Sequence, residues 1–190
     1  GGNAALMASG TLNIAHENVA RRLSRRAPSA TIGVSEALTL WTSAGDLHVF
    51  HTPAAHTLGD LVVLFRNANV AFVGDLFFNP MYPAIVGGSI TGLIDALTRI
   101  ADLIDDGTVI VPGHGPLANK SELIDYREML RDVRDRIALA VRGGKTRRDE
   151  MIAAKPTAVH DKRWGRGIVQ FEDGSLAHDG DWFAGVVYDD

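Results

Sequence analysis

Residues 51–65 read HTPAAHTLGDLVVLF, residues 69–78 read NVAFVGDLFF, and residues 108–115 read TVIVPGHG. In each, a run of apolar, strand-forming residues meets a turn that carries one side chain able to bind a metal. These are His56 in HTLGD, Asp75 in VGDLFF and His114 in PGHG. A strand fixes the direction in which its last residue approaches, and the turn after it leaves that side chain exposed and held by backbone. Three such strand ends can aim two imidazoles and a carboxylate at one point, a donor set suited to a divalent transition metal. The expected geometry is a cluster of the three at one edge of a sheet.

The three motifs, in this order and 19 and 39 residues apart, resemble the later part of the metallo-β-lactamase fold hydrolases. The resemblance implies an α/β (α+β) architecture, the αβ/βα sandwich of that fold. It also implies a site of two divalent ions, typically zinc, with His56 serving one metal, His114 the other, and Asp75 bridging. The HxHxDH motif that comes first in that family has no counterpart here, since the chain contains no HxH and no Asp-His pair. The opening GGN resembles the residues that follow that motif. The expectation is therefore one metallo-β-lactamase-like domain over residues 1–190, lacking its N-terminal part, with residues 156–190 as a tail packed on the body.

Composition sets broad limits. The 190 residues are 46% hydrophobic, enough for one substantial core, and the net charge of −4 argues against a general nucleic-acid or membrane-surface binder. With no cysteine, thiolate ligation and disulfides are excluded, and neither cytoplasm nor periplasm is favoured. No apolar run reaches the roughly 20 residues that cross a bilayer.

Along the chain, GGNAALMASG has helical spacing and a C-capping Gly10, TLNIAH reads as a strand, and ENVARRLSRR reads as a helix closed by Pro28. The arginines of that helix, Arg21, Arg22, Arg25 and Arg26, read as a solvated face rather than a phosphate site, and His16 as structural. ALTLW and LHVFH flank the turn SAGD, and LVVLF and VAFVG flank RNAN, giving two hairpins and one antiparallel run. His48 and His51 are expected to share a strand face as packed histidines, with extra ligand or base as the alternative. Asp60 is read as anchoring its turn or as hydrogen-bonding a ligand histidine rather than binding metal directly. LFFNPMYPAIVGGS reads as an irregular loop at the lip of the site. Its Phe77, Phe78, Asn79, Met81 and Tyr82 are candidates to line a substrate pocket, the alternative being that the phenylalanines are core.

ITGLIDALTRIADLID is an amphipathic helix, and TVIVPGHG a short buried strand. Asn119 and Glu122 form a capping box for a helix with Leu123, Tyr126, Leu130, Val133 and Ile137 on one stripe and a solvated charged face opposite. GKTRRDEMIAA is a short helix stopped before Pro156, and Trp164, Trp182 and Tyr188 pack the tail on the body.

By resemblance, the reaction is hydroxide attack on a carbonyl, and an aspartate at the bridging position resembles the thioesterase and glyoxalase II branch. That favours a small-molecule ester, thioester or lactone over a β-lactam. The alternative is a non-catalytic scaffold with an incomplete metal site. An uncovered sheet face leads to an expectation of self-association or of a separate N-terminal fragment as partner.

Overall fold

The structure is a computed structural model that describes residues 3–23, 31–43, 45–166, 169–170 and 176–190. In chain order its elements are α1 (Asn3–Ala8), β1 (Asn13–His16), α2 (Glu17–Leu23), β2 (Thr31–Val34), β3 (Ala37–Thr42), β4 (Gly45–His51), β5 (Leu61–Phe65) and β6 (Val70–Phe78). There follow α3 (Ile90–Leu103), β7 (Val109–His114), α4 (Lys120–Arg142), α5 (Arg148–Ala153), α6 (Asp161–Trp164), β8 (Val169–Gln170), β9 (Leu176–Ala177) and α7 (Gly180–Asp189).

The central sheet has the order β3-β4-β5-β6-β7. Its first three pairings are antiparallel, as the two hairpins require, and β7 joins β6 in parallel. A parallel partner needs a crossover, and α3 supplies it. Residues directly opposite one another share a sheet face, so the register defines both surfaces. Phe50, Val62, Leu64, Ala71 and Ile110 face inward. They join Leu93, Leu97 and Ile100 of α3 and Leu123, Tyr126 and Leu130 of α4 in one buried cluster. Each of the larger aliphatic and phenylalanine side chains among them stabilises the fold by about 2 kcal/mol on burial. The opposite face carries the row Leu38–Val49–Val63–Phe72–Val111 and beside it Leu40–Leu47–Phe65–Val70–Val109.

Both long helices start on side-chain caps. Ser89 accepts from the Gly92 amide at the head of α3, and Asn119 and Glu122 form the full capping box of α4. The Tyr82 hydroxyl, fully buried, donates to Asp161 Oδ1 at 2.8 Å and ties the segment after β6 to the tail. Trp164 lies 5.2 Å from Tyr126, and Phe183 stacks on Tyr82 at 4.8 Å.

Several readings change. Strand β6 runs on through Leu76, Phe77 and Phe78, where a loop was expected. A bulge at Gly74, with φ of 53°, absorbs the apparent break. A parallel pair, β1 with β2, was not read at all, because β2 (TIGV) is too short for a clear period. His48 and His51 do not share a face. Three residues apart on a strand they point to opposite sides, His48 near Phe50 and His51 stacked on His16 at 3.8 Å. The charged side of α4 is more than solvated surface, since Asp132 accepts from His160 and Asp125 from Arg163 of the tail. Pro28, Arg25 and Arg26 lie outside the described residues.

The segment bearing His56 rests on the start of α3. The Ser89 amide donates to the Ala54 carbonyl at 3.1 Å. A Cβ placed on Gly92 would overlap that carbonyl, standing 2.8 Å from its carbon, and one on Gly88 would overlap the carbonyl of Ala55. For Gly92→Ala the helix propensity gain is about 1 kcal/mol, and the backbone collision opposes it with about 1–3 kcal/mol of overpacking. The collision dominates because the obstacle is main chain. Gly92→Ala is expected to lower stability in urea unfolding, and an unchanged or raised midpoint would show that this approach is not tight.

Candidate metal centre

His56 is fixed from three sides. Asp60, within its loop, accepts from the Thr57 amide at 2.8 Å and the Thr57 hydroxyl at 2.5 Å. The Val86 amide donates to the His56 carbonyl at 2.6 Å. The ring itself is oriented by Nδ1, which donates to the Ala84 carbonyl at 2.8 Å. A neutral imidazole with its proton on Nδ1 presents a lone pair on Nε2, the form in which histidine binds metals. Asp60 bonds within its own turn, to Thr57, and the partner of His56 Nδ1 is the Ala84 carbonyl.

Asp75 stands at the bulge inside β6, not on a turn after it. The neighbouring strand allows this because residue 113 has no side chain. A Cβ on Gly113 would run into Asp75 Oδ1 and come within 2.7 Å of the Gly74 carbonyl carbon. His114 ends β7, and its ring stacks on Phe78 at 4.7 Å and 13°. Asn79 donates its amide to the His114 carbonyl at 2.9 Å. Gly115, with φ of 90°, passes so close to the Asn79 carbonyl that no other residue fits.

The three side chains named from sequence meet. His56 Nε2 lies 3.3 Å from Asp75 Oδ2, and His114 Nε2 lies 3.4 Å from Asp75 Oδ1. Each imidazole addresses its own carboxylate oxygen. Two donors each 2.0–2.1 Å from one ion, in a tetrahedral arrangement, stand about 3.3 Å apart. The donor set therefore fits divalent metal as two half-sites that share a carboxylate. Among the described residues no group of three or more His, Cys, Asp or Glu side chains is arranged to hold one metal ion. Exposure rises across the cluster, from 14% at His56 to 38% at Asp75 and 47% at His114, so solvent and ligands reach it from the His114 side.

The expected substrate loop is otherwise. Tyr82 is fully buried, and burial with the neighbouring Asp161 carboxylate pushes its hydroxyl well above the ordinary phenol range. It is a core anchor, because its ring is stacked and its hydroxyl is bonded. Phe77, Phe78 and Asn79 are also buried, and only Met81 keeps partial exposure. His178 was not singled out from sequence. Its ring lies 5.5 Å from Phe78 and its Nδ1 donates to the Tyr82 carbonyl, so it backs the stack that holds His114. Burial holds its pKa below the ordinary imidazole value, with a smaller contribution from His114. Nothing in the motif grammar marks such a residue, because its role comes from packing.

No protein-family model matches the sequence, and no curated protein matches it either. Solved structures do. A metallo-β-lactamase from Pontibacter korlensis superposes with a TM-score of 0.58 at 19% identity, over 67% of this chain and 61% of that one. The BLEG-1 B3 metallo-β-lactamase gives 0.54 at 22% identity, over 67% of this chain and 70% of that one. DIM-1 metallo-β-lactamase gives 0.58 at 15% identity, over 68% and 62% respectively. The chain thus spans under two thirds of the length of the first of these, and at such identities the likeness is one of fold. The mixed sheet with its crossover helix and these superpositions agree: the chain has the metallo-β-lactamase fold.

Proposed function

We propose that this chain carries the His–Asp–His half of a divalent-metal hydrolase site, serving attack of water on an ester, thioester or lactone carbonyl. The observation that carries the reading is the pairing of each imidazole Nε2 with a separate oxygen of Asp75, at 3.3 and 3.4 Å. His56 presents a lone pair to a carboxylate oxygen, and such a facing pair calls for a cation between them. His56 with one Asp75 oxygen would hold one ion, and His114 with the other oxygen a second. When bound, zinc or a similar ion supplies Lewis-acid polarisation of a carbonyl and lowers the pKa of water toward neutrality. The chain's own residues orient that chemistry. Ala84 fixes the His56 tautomer, Phe78 fixes the His114 ring plane, and the bulge at Gly74 fixes Asp75.

The solved neighbours are named as β-lactamases, which makes β-lactams the competing substrate class. An aspartate between the two imidazoles supports the ester and thioester reading. A second reading, a scaffold without catalysis, is favoured by the donor count. Zinc takes four ligands, each half-site here has two, and every missing ligand lowers affinity.

Zinc added to the metal-free chain is expected to raise the melting temperature, with less than one equivalent retained after dialysis. Asp75→Ala should remove the whole response, whereas His56→Ala and His114→Ala should each leave part of it. An equal response in Asp75→Ala and the parent chain would sink the shared-carboxylate assignment.

The 190-residue chain is expected to hydrolyse thioesters, lactones and β-lactams no faster than background, even with zinc supplied. Turnover with two retained equivalents of metal would show instead that these residues complete the site unaided.

A further inference from the structure

A groove of about 540 Å³ opens between the Asn79–Pro80 turn, Pro116 and helix α6. Its apolar wall is Pro80, Pro116 and the exposed Val159. Its charged wall holds three cations, Lys162, Arg163 and Arg166, against the single carboxylate of Glu122. That balance runs against a chain of net charge −4. Arg163 is already committed, donating to Asp125 at 2.8 Å with its guanidinium 4.6 Å over the Trp164 ring. Glu122 is committed as well, accepting from the Asn119 amide in the capping box. Arg166 spends only Nε, on the Lys162 carbonyl at 2.6 Å. Among the described residues neither the Lys162 ammonium nor the Arg166 guanidinium pairs with a carboxylate.

The groove and the candidate centre share backbone. Asn79 donates its amide to the His114 carbonyl at 2.9 Å and its Nδ2 to the Pro116 carbonyl at 3.3 Å. The close pass of Gly115 under the Asn79 carbonyl locks the two together. One wall of the groove is thus the chain segment that aims His114. We propose that Lys162 and Arg166 bind a phosphate or carboxylate group carried by the substrate, whose uncharged portion lies along Pro80, Pro116 and Val159. This rests on the hydrolase reading for the word substrate, and on the groove alone for the anion. Two uncommitted cations beside an apolar wall suit a ligand with a charged end and an apolar stem. The contribution is electrostatic and partly exposed, so it weakens with added salt.

The test is calorimetric titration of the metal-free chain at low ionic strength with pyrophosphate and, separately, with succinate. Saturable binding of at least one anion is expected, weakened at least tenfold by Lys162→Met with Arg166→Met, which keeps the apolar stems and leaves Arg163 in place. Tighter pyrophosphate binding assigns a phosphate, and tighter succinate binding a carboxylate. Both replaced residues are exposed, and an unchanged melting temperature confirms that the variant folds. No binding of either anion, or binding undiminished in the variant, overturns the proposal. Because no metal is present, this failure is separate from that of the half-site reading, which is judged by the zinc response of Asp75→Ala.

Discussion

The organisation of this molecule depends on how closely β7 passes the bulge of β6. Asp75 sits where an ordinary strand residue at position 113 would place its Cβ, so the carboxylate exists there only because that residue is glycine. The parallel pairing of β6 with β7 then fixes His114 opposite Phe78, with the ring lying on it. From that contact the rest follows outward. Phe78 rests against His178, His178 against Trp182 at 4.8 Å, and the final helix is thereby tied to the site. The same economy of volume recurs on the other side, where Gly88 and Gly92 let the His56 loop lie on the first turn of α3. Three elements far apart in sequence are held at one point by backbone passing backbone.

The sheet is patterned for burial on both faces. Its inner face is closed by α3 and α4, but the two rows on its outer face are apolar at all ten positions, from Leu38 to Val111 and from Leu40 to Val109. A solvent-facing sheet surface alternates to polar residues, and these rows do not. Phe72 and Val109 remain 46% and 41% exposed. Such a surface is that of a sheet placed between two layers, the arrangement that the αβ/βα resemblance leads one to expect. The helix pair accounts for one of those layers. The small β1–β2 pair with α2 stands at the edge, joined to the sheet by the His16–His51 stack and by Asn18 donating to the Leu58 carbonyl at 3.0 Å.

Much of this could be read before the structure, for reasons that differ by element. His56, Asp75 and His114 were readable because their motifs pair a strand with a glycine-bearing turn, and such local geometry leaves a local signature. The helices α3 and α4 were readable from period and caps, down to Asn119 and Glu122. Asp75 was placed at a strand end because Gly-Asp usually breaks a strand, and here a positive φ turns the break into a bulge. Tyr82 was misplaced at the lip because Pro and Gly around it suggest a surface loop, whereas Asn79, though largely buried, borders the groove beside Pro80. The burial of Tyr82 depends on tail residues 79 and 101 positions later, Asp161 and Phe183, which no window around residue 82 contains. Long-range packing of this kind has no local pattern, and His178 escaped notice for the same reason.

The electrostatics of the cluster explain why its three polar side chains hold this pose in a fold otherwise built on apolar contacts. A carboxylate wedged beside backbone and flanked by two imidazoles has no hydrogen-bonding ladder of its own to justify the arrangement. Had the cluster been structural, Asp75 would be expected to find a backbone amide or an arginine, as Asp60 finds Thr57 and Asp125 finds Arg163. Instead each of its oxygens faces a ring nitrogen, and the nitrogen of His56 is turned toward it by a carbonyl that claims the other side of the ring. The orienting groups are spent on direction rather than on stability. Under the proposed reading that arrangement serves an ion; the histidines at 16, 48 and 51 differ in that, among the described residues, none is paired with a carboxylate, their contacts being with rings, a hydroxyl and backbone groups.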